Sequence, residues 1–264
     1  MDINFISAII HLDDKYELKG LYDWAMGYLT KFYTTSFDAW TDVSHTLEWC
    51  PEPKHAITAV KLARDTGTLS ILPTALYVCA TLGPDIALGF EHDDGTCEYL
   101  APEDLRLCLT LKNFLVAANS ECAFALFRQT THTPSSTQPC HTPGVCSDLL
   151  RRVFEQACTN KGPRTLSSGR ALESWIDALE ALPAPAPIPM QAQMGMPPPM
   201  PPMMMGPGNG FNGVYYYMPS PPAPPLCTNC RAQLEKRDWE LRRQVWRKLP
   251  GWIGLNVENW DARI

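Results

Sequence analysis

Apolar residues recur at three- and four-residue steps along most of the chain, the period of an amphipathic helix. Ile3, Phe5, Ile6, Ile9, Ile10 and Leu12 share one broad helical face, and Asp13, Asp14 and Lys15 break it. A second helix follows, with Leu18, Leu21, Tyr22, Ala25, Tyr28, Leu29 and Phe32 on its beat. Ser36 offers an N-cap to a third, with Ala39 and Trp40 behind it, because its hydroxyl can accept from a free first-turn N–H. Residues 55–67 predict a helix closed by Gly67. Residues 70–83 predict another, capped by Ser70, with Pro73 in the first turn and Gly83 at the end. That segment is apolar nearly all round, which places it at the centre of a core. Asp94-Gly95 predicts a small hairpin within 90–100. Residues 101–127 open with Pro102, Glu103 and Asp104, acids suited to the positive end of a helix, and form one bent helix or two. A polar loop over 131–144 precedes a helix over 145–158, marked by Leu149, Leu150, Val153, Phe154 and Ala157. Leu172, Trp175, Ile176, Leu179 and Leu182 mark a helix over 169–182. A last helix carries Leu234, Trp239, Leu241, Val245, Trp246 and Leu249, and Pro250-Gly251 is expected to stop it. The fold class is therefore mostly α, an irregular helical array.

Residues 183–225 break the pattern. They hold 15 of the 25 prolines and 8 of the 10 methionines, and no charged residue. Proline removes backbone donors and glycine adds chain freedom, so this low-complexity stretch is expected to be disordered or extended, a linker or a ligand for proline-reading domains.

Charge changes the picture only locally. The net charge is −6, which disfavours nucleic-acid binding by the chain as a whole. Residues 226–264 hold 8 Lys/Arg against 5 Asp/Glu, concentrated in a helix over 231–248. Its interleaved Glu235, Asp238 and Glu240 suit a solvated face with i,i+4 pairs better than a phosphate-binding surface. No apolar run approaches the ~20 residues that span a bilayer. The opening residues, with Asp2 and no basic stretch, are unlike a secretory signal. A cytoplasmic or nuclear location is expected, where thiols stay reduced.

The ten cysteines then divide by context. Cys79, Cys108, Cys122 and Cys158 sit on apolar helical faces and read as core thiols. Cys227 and Cys230 form a C-x2-C pair, a spacing at which two thiolates reach one metal ion. A structural zinc needs four ligands. Cys140 and Cys146, with His141 between them, stand before a helix where a second pair belongs, although their five-residue gap exceeds the usual two to about four. The competing reading makes all four small or incidental residues. A redox C-x2-C lacks the surrounding βαβ pattern. There is no Gly-rich phosphate loop, G-x-S-x-G or H-E-x-x-H, and none of the six histidines lies in a recognisable catalytic context, so the chain is not expected to be an enzyme.

The stretches "ISAIIHLDDKYELKGLYDWAMGYLTKFYTTSFDAW", "AVKLARDTGTLSILPTALYVCATL", "DGTCEYLAPEDLRLCL" and "CTNCRAQLEKRDWELRRQVWRKLPGWIGL" resemble the C-terminal two-thirds of BTB/POZ-domain proteins of mushroom-type fungi. The resemblance covers nearly all of the chain outside 183–225. It implies that residues 1–35 correspond to the last helices of a truncated BTB domain and 36–182 to its helical extension. Residues 183–225 are then an insertion, and 226–264 pack back on the extension. It implies that a preceding sheet-and-helix portion, which this sequence lacks, would cover the first helices. The face of Ile6, Ile10, Leu21, Tyr22 and Ala25 is thus expected to be incompletely covered. Dimerisation and cullin binding belong to that earlier portion and do not carry over. The resemblance implies that the two cysteine pairs recur, favouring zinc, and it supplies no catalytic residue. The expected function is a non-catalytic protein-protein interaction module with an unidentified protein partner. The alternative is a zinc-stabilised nuclear regulator touching nucleic acid through residues 231–248.

Overall fold

In a computed structural model of the protein, the described residues are 3–16, 19–46, 52–127, 140–162, 164–181 and 226–262. They form α1 (Ile3–Tyr16), α2 (Lys19–Phe32), α3 (Phe37–Thr46), α4 (His55–Asp65), α5 (Leu72–Thr81), β1 (Phe90–Glu91), β2 (Cys97–Glu98), α6 (Pro102–Phe127), α7 (Pro143–Cys158), α8 (Ile176–Glu180) and α9 (Thr228–Trp252), with 3-10 turns at Leu69–Ile71 and Gly83–Leu88. The fold is mostly α. The expected linker over 183–225 lies outside the described residues.

The segment without a polar face became the centre. Leu72, Ala75, Leu76 and Cys79 of α5 are fully buried, and α4, α6 and α9 pack around it. Pro73 sits in the first turn, where no N–H is needed. Ser70 does not cap this helix. It lies inside the preceding 3-10 turn, and Ile71 takes the cap position. The hairpin forms as expected, with Phe90 opposite Glu98 and Glu91 opposite Cys97. Gly89 enters it at φ 72°, where an added Cβ would lie 2.5 Å from the Glu98 carbonyl oxygen, so only glycine fits.

The first two helices correct one expectation and refine another. Helix α1 runs through Asp13, Asp14 and Lys15 to Tyr16. Of the face expected to lie open, Ile6, Ile10 and Ala25 are buried in the main core, while Leu21 is half-exposed and Tyr22 partly buried. Helices α1 and α2 pack on each other, and α1 also packs on α4. The apolar stripe is wider than those contacts, so Phe5 (56% exposed), Leu12, Tyr16 and Trp24 remain outside them.

The helix expected over 169–182 is reduced to Ile176–Glu180. The cause is a buried cation. The Arg164 guanidinium lies 4.1 Å over the Trp175 ring and donates to the carbonyls of Arg170 and Glu173 and to Asn119 Oδ1. Asp238 of α9 accepts from the Trp175 N–H (3.0 Å), the Ser174 hydroxyl (2.9 Å) and Arg242 Nε (2.8 Å). These partners replace helical hydrogen bonds and hold 170–175 irregular.

Helix α9 includes Pro250 and ends at Trp252, one residue past the expected Pro250-Gly251 stop. Proline cannot donate to the Trp246 carbonyl. The Trp260 indole N–H does so instead, at 2.9 Å, with its ring stacked 4.8 Å from Trp246. The C-terminal turn is fixed by Asp261, whose N–H donates to the Thr35 carbonyl and whose Oδ2 accepts from Arg243 (3.0 Å) and Arg247 (2.6 Å). Burial raises the Asp261 carboxyl, but the two arginines outweigh it and hold it below the usual carboxylate value. A carboxyl depressed in the folded state stabilises above its unfolded value of about 3.9, and that contribution fades as pH falls through the folded value. Wild type should therefore melt above Asp261→Asn at pH 6, with the gap closing below about pH 4 in thermal scans.

The buried residues form two clusters. The larger joins α1 to α6 with Val245, Trp246 and Leu249 of α9. The smaller gathers Leu126 and Phe127 at the end of α6, Leu149, Leu150 and Val153 of α7, Trp175, Ala178 of α8 and Leu234 near the start of α9. A cluster this small gains little from burial alone.

Candidate metal centre

The four cysteines singled out by spacing meet at the edge of the smaller core. Cys140 stands just ahead of α7 and Cys146 in its first turns; Cys227 caps α9 and Cys230 lies in its first turn. The Sγ atoms of Cys140, Cys146, Cys227 and Cys230 all lie within 4.8 Å of one another, with Cys140 and Cys227 3.7 Å apart. Two helix N-termini therefore converge on one point, where free N–H groups and helix dipoles favour thiolates.

Packing explains the convergence. Leu149, Leu150, Val153 and Ala157 bury one face of α7, and Leu234 seats the start of α9 against the same cluster. Arg231 pairs with Glu180 of α8 (2.6 Å) and Glu235 (2.7 Å), so the end of α8 and the start of α9 lie side by side. Around the sulfurs, the Cys227 N–H donates to Cys146 Sγ (3.4 Å), Thr142 Oγ1 lies 3.3 Å from Cys146 Sγ, and Asn229 Nδ2 lies 3.2 Å from His141 Nε2. Burial would raise the Cys227 thiol, but N–H groups of Cys230 and His141, with the neighbouring thiols, bring it down to about 6. Burial and the sulfurs of Cys140 and Cys227 raise Cys230.

This donor set can hold a metal ion. With metal–sulfur bonds of about 2.3 Å, a tetrahedron has edges of about 3.8 Å, so the sulfurs need draw in by no more than about 1 Å. The span suits one ion and leaves no room for a cluster of irons with bridging sulfides. Thr142 and Asn229, which surround the centre, carried no signal in the sequence; His141 was marked only by lying between two cysteines.

The other candidates separate cleanly. Cys79, Cys108 and Cys122 are buried as expected, and burial pushes the Cys122 thiol up to about 11. Cys158, expected in the core, is exposed at the last position of α7, and Cys97 is exposed; Cys50 lies outside the described residues. His92 is held by Asn4 Oδ1 (2.5 Å) and Glu98 Oε2 (3.2 Å). Strand alternation turns Cys97 to the other face of the hairpin. On the basic helix, Arg231, Arg242, Arg243 and Arg247 are committed to carboxylates within the chain, and Arg237 to the Ala125 carbonyl. Among the described residues no helix is long and apolar enough to cross a membrane. Compared with protein-family models, with curated proteins and with solved structures, the chain matches none, so the reading of the centre rests on its geometry.

Proposed function

We propose that the protein is a non-catalytic protein-interaction module whose smaller core is locked by one structural zinc ion on Cys140, Cys146, Cys227 and Cys230. The observation that carries the reading is the approach of the four sulfurs to within 4.8 Å from two chain segments. Four thiolates at tetrahedral spacing suit zinc. They fill every coordination position, which leaves none for substrate and makes the ion structural.

The interaction surface is placed on α1 and α2. Phe5 and Trp24 meet edge to face at 6.4 Å, and Trp24 meets Tyr28 at 5.3 Å, a contiguous aromatic strip beside half-exposed Leu21. Exposed apolar groups that touch one another mark contact surfaces more often than scattered ones. The resemblance of this hairpin to the end of a BTB domain supports the same reading. The commitment of the α9 arginines within the chain weighs against the nucleic-acid alternative. A photo-crosslinking amino acid at Trp24 should capture one discrete protein in extracts of the source cells, whereas one at Leu88, which is more exposed and lies elsewhere, should not. Equal labelling from both positions would contradict the proposed surface.

A further inference from the structure

We infer that the cysteine centre is also a redox-sensitive fastening, in which hydrogen peroxide expels the metal and joins Cys140 to Cys227. This rests on the zinc reading and adds how the site is regulated. Three observations select the pair. Their sulfurs are 3.7 Å apart, so closing to a disulfide of about 2.05 Å needs a small movement. Both lie in irregular backbone ahead of their helices, whereas Cys146 and Cys230 are fixed within helical turns. Both are partly exposed, whereas Cys146 is buried with its sulfur beside the Thr142 hydroxyl and the Cys227 N–H.

The chemistry balances. One thiolate of the pair attacks the peroxide, the O–O bond breaks, and a sulfenic acid forms. The second thiolate displaces its hydroxyl and the S–S bond closes. Two electrons leave the sulfurs, and the peroxide departs as two waters after taking up two protons. Two remaining thiolates cannot hold the ion. Zinc passes to water, and Cys146 and Cys230 each take up a proton. The new bond joins the same two chain segments that the metal joined, so α7 stays attached to α9 after the metal has gone.

The test uses the full zinc-loaded chain with stoichiometric hydrogen peroxide. Released zinc is read with a chromogenic chelator and the cross-link by peptide mass spectrometry. The expected result is loss of the zinc, a Cys140–Cys227 link, and recovery of zinc binding on reduction. A loaded chain that keeps its zinc, or one that forms a Cys227–Cys230 link instead, overturns this inference and leaves the zinc reading standing. A chain that never takes up zinc overturns both.

Discussion

On the zinc reading, a chelator under reducing conditions should open α7 and the first turns of α9, while α4, α5 and α6 should hold. The two cores explain the division. The larger is closed by contacts of α5 with α4, α6 and α9 and needs nothing from the cysteines. The smaller depends on keeping α7 against the end of α6 and the start of α9. Structural zinc binding is worth about 10 kcal/mol or more in small domains, comparable to the whole stability of many folds. Without it, the four thiols become neighbours that bind one another weakly. Amide hydrogen exchange should show protection in α7 falling at least tenfold on chelation, with α5 unchanged. Cys140→Ser and Cys227→Ser should reproduce the effect without chelator. Equal loss of protection in α5 and α7 would mean that the ion supports the whole fold and not one lobe.

Asp238→Ala should cost about 3–5 kcal/mol, the usual penalty for removing one partner of a buried ion pair. Asp238 is 1% exposed and accepts three hydrogen bonds, from Trp175, Ser174 and Arg242. Its loss leaves the Trp175 N–H without an acceptor and the mostly buried Arg242 guanidinium without its carboxylate, left with the Leu172 carbonyl at 3.4 Å. It also releases the irregular 170–175 segment, which Arg164 grips from the other side. Urea melts of the zinc-loaded chain would measure the penalty. Because these contacts couple α9 to the smaller core, the variant should also lose zinc more readily. A shift below about 1 kcal/mol would place Asp238 outside the interactions that hold this core.

Much of this structure was legible where local pattern and tertiary packing agree. Helix α5 announced itself by having no polar face, and α4 by Gly67, which ends it at positive φ. The cysteine cluster was legible as two pairs, each placed before a helix, although nothing local showed that they share one point. Two of the failures share a form, a backbone group satisfied by a side chain distant in sequence. Residues 170–175 follow a helical beat, but Asp238 and Arg164 take over their hydrogen bonds. Pro250-Gly251 reads as a stop, yet Pro250 lies inside the helix, Trp260 supplies the missing donor, and α9 ends at Trp252, one residue past the expected place. The acids at 13 and 14 end an apolar stripe without ending the helix. The burial of Ile6, Ile10 and Ala25 reflects the packing of α1 on α2 and of α1 on α4, which lies more than twenty residues further on.

The most direct test of the account is X-ray absorption at the zinc edge on the full chain purified under reducing conditions. One zinc per chain with four sulfur neighbours at about 2.3 Å, reduced to fewer sulfurs by Cys230→Ser, is the predicted result. A first shell of nitrogen and oxygen, or a chain that binds no zinc, would contradict it.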